Sequence, residues 1–353
     1  MSKRHYIIPI FVPHEGCPHN CVFCNQNRIS GEEERVTKDQ VINTIEEYLS
    51  TMDRQNSTIE ISFFGGTFTA INIDKQNELL SIAQSYKQRG LIDYIRLSTR
   101  PDYIDDFILS NLKKHSVDII ELGIQSMDSE VLNKSGRGHS EEQVYGASQL
   151  IKQYNFVLGH QIMVGLPGDS YEKDIETTKK VISMKPDICR IYPALVIKDT
   201  PMEIMYKKGD YKPYDLDQAL YICKIIYGML ISRDIKVIRV GLQTTDNINE
   251  GKDIIAGPFH PAFRELMESI LYNEIIVKNV EKDSDKVEII INPKNLSKLY
   301  SNRKKYFYDM VKQINAQSVK ITVSDYASID IIQIVQGDKC CQVSINEYLK
   351  KNY

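Results

Sequence analysis

Three of the chain's seven cysteines fall within eight residues, Cys17-Pro18-His19-Asn20-Cys21-Val22-Phe23-Cys24, a C-x3-C-x2-C spacing. In a reducing compartment such a cluster points to a metal rather than to disulfides. Four protein ligands close a structural zinc site or an ordinary ferredoxin-type cluster. Three leave one metal position open for a substrate or cofactor. Zinc is the competing reading, with His14, His19 or a distant cysteine as fourth ligand. The partner pair of a zinc ribbon is missing, since Cys340-Cys341 are adjacent and read as a hydrophobic strand end.

A second set of residues follows from strand alternation. Glu121, Gly123 and Gln125 share one parity, as do Arg190 and Tyr192, and Arg239, Gly241 and Gln243. Polar residues on one parity of a buried strand suggest a ligand-lined lumen, with Glu121, Arg190, Tyr192 and Arg239 as candidate catalytic residues. The alternative is a self-satisfied ion-pair network, Glu121 with Arg190 or Arg239. His260, before a helix bearing Glu265 and Glu268, reads as a structural cap or as a proton donor or substrate contact.

With Phe23 as the aromatic, C-x3-C-x-aromatic-C resembles the signature of radical S-adenosylmethionine (SAM) enzymes. The resemblance implies a 4Fe-4S cluster on Cys17, Cys21 and Cys24, with SAM chelating the fourth iron. It also implies that Gly65, Gly66 and Thr67 border SAM's methionine end. Leu122-Gly123-Ile124-Gln125-Ser126, Gly136-Arg137-Gly138-His139 and Gln161-Ile162-Met163-Val164-Gly165-Leu166-Pro167 are similar to motifs of the oxygen-independent coproporphyrinogen oxidase branch. There Gln125, Arg137 and Gln161 fall at SAM contacts. The chain departs from that branch at Ser98-Thr99-Arg100-Pro101, which lacks its acidic residue, and at Gln161, which stands in place of an aspartate. These departures bear on ribose and carboxylate contacts at Ser98, Arg100 and Gln161. The run Ser98–Asp102 and the run Glu121–Gln125 resemble more closely the radical SAM half of Elongator catalytic subunits and their small bacterial relatives. Those subunits have a longer first cysteine spacing and add an acetyltransferase domain, for which 353 residues leave no room. The resemblance covers roughly residues 5–245.

The elements that must position these groups alternate. Strands are expected at Tyr6–Val12, Thr58–Phe64, Tyr94–Ser98, Asp118–Ile124, Val157–Gly165, Ile188–Tyr192 and Lys236–Leu242, with helical periodicity between them, as in Val41, Ile45 and Leu49. The expectation is an α/β fold: a partial TIM-like barrel of six or seven βα units over residues 1–276. A small α+β domain over 277–353 would hold a helix at Asn295–Gln313 and a hairpin of Val319–Ser324 with Ile329–Val335.

Lys and Arg number 44 against 47 Asp and Glu, which excludes a generally basic nucleic-acid binder but permits a local patch. Residues 277–353 hold 13 basic and 9 acidic side chains, a net of +4, leaving −7 for the first 276. Between 294 and 312, Lys298, Tyr300, Arg303, Lys304, Tyr306 and Tyr308 interleave charge with aromatics, which suits RNA backbone contact and base stacking. No apolar run approaches the ~20 residues of a membrane helix, and the chain reads as cytoplasmic. The expected function is a radical SAM enzyme acting on RNA or tRNA, served by a one-electron donor of flavodoxin or ferredoxin type. The rivals are a tetrapyrrole-directed enzyme, a haem- or cluster-trafficking protein without radical chemistry, and a zinc-binding RNA module.

Overall fold

A computed structural model describes residues 4–12, 20–25, 36–242, 252–281 and 284–353. Seven parallel strands form the main sheet: β1 (Arg4–Val12), β2 (Ser57–Gly65), β3 (Tyr94–Thr99), β4 (Ile119–Gln125), β5 (Val157–Val164), β6 (Ile188–Pro193) and β8 (Lys236–Val240). Their order is β1-β2-β3-β4-β5-β6-β8, a curled half-barrel. The short β7 (Val196–Ile197) pairs instead with β9 (Ile254–Ala256). Helices cover the outer face. The helix Lys38–Thr51 starts at a capping box of Thr37 and Gln40 and buries Val41, Ile45 and Leu49.

Register is set at the strands' N-terminal ends by a repeated device. Asp93, Asp118 and Asp187, each just before a strand, accept the backbone N–H of Ile59, Ile95 and Leu158 on the preceding one, at 2.7–2.8 Å. One parity of each strand then faces the helices: Ile59, Ile61 and Phe63, Ile95 and Leu97, Ile120 and Leu122, Cys189 and Ile191. The other parity carries Glu60, Arg96, Glu121, Gln161, Arg190 and Arg239 into the lumen.

The last part of the chain departs from its expected form. The second sheet has the order β11-β10-β12-β13, with β10 (Lys286–Ile291), β11 (Ser318–Val323), β12 (Ile331–Gln336) and β13 (Lys339–Ser344). β10 lies between β11, which pairs parallel to it, and β12, which pairs antiparallel, so β11 and β12 form no hairpin; the hairpin is β12 with β13. Cys340 and Cys341 lie on β13 and are exposed. The expected basic helix is broken: Leu296–Tyr300 and Lys305–Ile314 flank a turn in which Asn302, Arg303 and Lys304 all have positive φ. The helix Phe263–Asn279 runs across the expected 276/277 boundary, giving Phe263, Leu266 and Met267 to the barrel core and Leu271, Tyr272, Ile275 and Ile276 to the core of the second sheet. Among the described residues no helix is long and apolar enough to cross a membrane.

Candidate active site

The lumen is crossed by one chain of charges. Glu121 receives Nε and Nη2 of Arg190 at 2.6 and 3.0 Å, Nη1 of Arg96, and Nε2 of Gln161 at 2.8 Å. Arg96 turns its other terminal nitrogen to Glu60 at 2.9 Å, and His5 reaches the same carboxylate at 3.1 Å. Gln161 also donates to Ser98 Oγ at 3.2 Å. Burial alone would push the Glu121 carboxyl up; the charges of Arg190 and Arg96 and the bonds they and Gln161 donate outweigh it, and the group is held below its ordinary range. The ion-pair alternative therefore describes Glu121, with Arg190 rather than Arg239 as partner. Sequence reasoning missed Arg96 and Glu60, although strand alternation puts both on the lumen parity.

Arg239 stands beside this network. Burial lowers its pKa, as does the charge of Arg190, while Tyr192 and Glu121 oppose them. Tyr192, next to both arginines, has its phenol pushed up by burial. The guanidinium of Arg190 lies 5.7 Å from the centre of the Phe64 ring. Beyond Arg239 on the same parity, Gly241 lines a small pocket with Pro193, Leu195, Phe259, His260 and Phe263. His260 Nδ1 accepts the backbone N–H of Ala262 at 3.0 Å, just before the helix Phe263–Asn279, whose N-cap residue is Ala262.

At the strands' C-terminal ends lies the rim. Gly65 has φ +108°, and a Cβ there would sit 2.6 Å from the carbonyl oxygen of Val12. Only glycine keeps β1 and β2 together at this point. Gly66 N–H donates to the same carbonyl at 2.9 Å, and Thr67 is buried. Across the rim, Arg137 donates Nη1 to Cys21 Sγ at 3.4 Å and Nη2 to the carbonyl of Gly123. Arg100 is clamped by Asp102 through two 2.9 Å bonds and donates to the Arg137 carbonyl at 2.6 Å. Gln125, at φ +65° after a bulge in β4, is buried here too, and Gly123 leaves the room: a Cβ on it would meet Arg137 Nη2 and Gln125 Nε2 at 2.9 Å. His139 is buried beside this group. Burial, then the charges of Arg137 and Arg100, lower its pKa to about 3.

Cys21 is buried and Cys24 partly so, joined by a turn in which Cys24 N–H donates to the Cys21 carbonyl at 3.0 Å. Phe23 packs among Val131, Leu166 and Ala194, and among Val196, Met202 and Tyr211. Cys17, His14, His19 and Gln243 lie outside the described residues. The residues present fit the groups implied by the resemblance. A guanidinium aimed at Cys21 suits a sulfur carrying negative charge. Arg137 Nε and Arg100 Nη1 are buried without a hydrogen-bond partner among the described residues, and such donors at a rim suit a carboxylate ligand.

The broken basic segment sits at this same end of the barrel. Ser301 Oγ bonds the Glu265 carbonyl at 3.4 Å, Lys298 reaches Glu268 at 3.3 Å, and Lys305 is 3.9 Å from Asp217. Glu265 and Asp217 lie in the first turns of helices that start at the barrel mouth, where Phe263 lines the pocket. Lys294, Arg303, Lys304 and Lys312 are exposed, and Lys304 lies 4.4 Å from the Tyr300 ring centre.

Residues 11–181 match the family model described as the Radical SAM superfamily, and residues 186–273 match the Radical_SAM C-terminal domain. The chain is 28% identical over 256 residues to the tRNA uridine(34) acetyltransferase of Methanocaldococcus jannaschii, covering 61% of this chain and 47% of that protein. It is 29% identical over 204 residues to Elongator complex protein 3 of Bos taurus, covering 52% and 37%. The chain thus spans about half or less of the length of these relatives. The solved archaeal Elp3 of Methanocaldococcus infernus, with an N-terminal deletion, superposes with a TM-score of 0.63 at 23% identity, over 78% of this chain and 64% of that one, so the fold is shared.

Proposed function

The chain belongs to the radical SAM superfamily and is an enzyme of that kind, and from this we propose that it modifies RNA, with tRNA as the substrate class. The observation that carries the substrate reading is the basic segment at the barrel mouth: Ser301 and Lys305 meet the first turns of the helices that frame the opening, and Lys294, Arg303, Lys304 and Lys312 on the same segment are exposed. The names of the relatives matched over the barrel support it.

Cys17, Cys21 and Cys24 would hold a 4Fe-4S cluster, whose bound chemistry is one-electron cleavage of SAM to a 5′-deoxyadenosyl radical. Gly65, Gly66 and Thr67 would border the methionine end of SAM. Arg137 and Arg100 offer their unpartnered nitrogens to its carboxylate, and Gln125 closes the rim beside them. Below, the Glu60–Arg96–Glu121–Arg190 chain keeps the lumen polar and rigid, with Gln161 and Ser98 fixed to it. Tyr192 and Arg239, beside this network, would be the substrate-side groups. A flavodoxin- or ferredoxin-type donor supplies the electron. Residues 1–276 form the catalytic portion in this reading, and 277–353 the RNA-guiding appendage.

With four phosphate contacts from the basic segment, tRNA affinity should fall about 50-fold between about 50 and 200 mM salt, a slope of about −2.8. Replacing Arg303, Lys304 and Lys312 by Gln should reduce that slope to about −0.7. An unchanged slope in the triple variant makes the segment a solvated face and refutes the RNA-guiding role; the tetrapyrrole reading then gains.

A further inference from the structure

We infer that Arg137 is held against a cluster-ligating sulfur and makes the cluster easier to reduce, a tuning role separate from any contact with SAM. The inference rests on the cluster assignment above. Its basis is a positive contact: Nη1 of a buried guanidinium lies 3.4 Å from Sγ of buried Cys21.

The contact is built rather than incidental. Arg137 follows the helix Ser129–Lys134 between two glycines of positive φ, Gly136 at 62° and Gly138 at 75°. The backbone around it docks on the cysteine loop: Val22 N–H donates to the Ser135 carbonyl at 3.0 Å, and a Cβ on Gly136 would come within 3.3 Å of the Asn20 carbonyl. Asp102 grips Arg100, and Arg100 grips the Arg137 carbonyl, so the residue is fixed from behind. At its tip, Nη2 is anchored on Gly123, whose missing side chain leaves the space the guanidinium fills. Four separate features thus hold one charge at one sulfur.

The consequence follows from charge. A 4Fe-4S core on three thiolates gains one negative charge on reduction. A fixed cation donating to a ligand sulfur favours the more negative state, and hydrogen bonds to sulfur are among the terms that set such potentials. Removing the cation lowers the potential.

The test is an anaerobic redox titration of the reconstituted protein followed by electron paramagnetic resonance, without SAM. Arg137→Gln should shift the reduction equilibrium at least tenfold toward the oxidised cluster, which is 59 mV for a one-electron couple. Arg137→Lys, which keeps the charge, should recover at least half of that shift. Should Arg137→Gln assemble no cluster, Gly123→Ala carries the same test, because it keeps the arginine but pushes the guanidinium out of its place; the same direction is expected. A reduction equilibrium within threefold of wild type, with SAM binding alone weakened, makes Arg137 a SAM contact only and overturns the inference. A wild-type chain that takes up no cluster refutes the cluster assignment instead, so the two failures are distinct.

Discussion

Replacing Glu121 by Gln removes one charge from the centre of the lumen and keeps the side chain's shape. Glu121 is 1% exposed, and its two oxygens take bonds from Arg190, Arg96 and Gln161. Arg96 keeps Glu60 as a partner, but Arg190 has no other acid within ion-pair distance among the described residues. The glutamine amide would also turn a donor toward donors. Breaking a buried pair on one side costs about 3–5 kcal/mol, and the low end applies because one acceptor oxygen survives and Arg96 stays paired. We expect a loss of about 3 kcal/mol at pH 7, read as a fall in the urea midpoint with an unchanged slope, in anaerobic protein. The sign with pH is fixed. The folded carboxyl lies below its ordinary 4.5, so its stabilisation is present above pH 4.5 and is lost as pH falls through the lower folded value. The gap between wild type and Glu121→Gln should close below pH 4.5. Adding Arg190→Met to Glu121→Gln should restore about 2 kcal/mol, since no unpaired cation then remains. A Glu121→Gln loss under about 1 kcal/mol would show that the network is solvated and refute the reasoning.

His160 is fully buried, with Nε2 at 2.9 Å from Ser148 Oγ, and burial lowers its pKa to about 3. The unfolded chain takes up a proton below pH 6.5 and the folded one does not, so stability is lost as pH falls. His160→Gln should remove about 1 kcal/mol of the decline between pH 6.5 and 5.5, measured by urea unfolding at both values; an unchanged decline would contradict the assignment. Gly65→Ala forces a side chain onto the Val12 carbonyl at positive φ. It should cost about 1–3 kcal/mol and weaken SAM binding while a visible cluster remains; unaltered SAM affinity by calorimetry would move the methionine end of the site elsewhere.

Much of the barrel was legible because its strands obey two simple rules. The alternation in Ile59–Phe64 and Ile120–Gln125 separates a helix-facing parity from a lumen parity, and it put Glu121, Arg190 and Arg239 on the right side. What it could not supply is distance: Glu121 meets Arg96 from the neighbouring strand, and that pairing depends on which strands are adjacent. Arg137 was legible through its glycine flanks, but its aim at Cys21 comes from the docking of two loops far apart in sequence. The appendage was harder to read. Ser301-Asn302-Arg303-Lys304 interrupts an otherwise helical pattern, and asparagine tolerates the left-handed turn that a helix cannot contain. β11 looked like half of a hairpin because local pairing is the commonest outcome. Here the helices between β10 and β11 carry the chain over to a parallel return.

The central claim is that this rim performs reductive SAM cleavage. The direct measurement is anaerobic reconstitution with iron and sulfide, then dithionite and SAM, with 5′-deoxyadenosine quantified. The account predicts 5′-deoxyadenosine from the wild-type chain and none from Cys21→Ala, which should also lose the visible absorbance of the cluster. A Cys21→Ala protein that keeps a full cluster, or a fully reconstituted and reduced wild type that releases no 5′-deoxyadenosine, would contradict it.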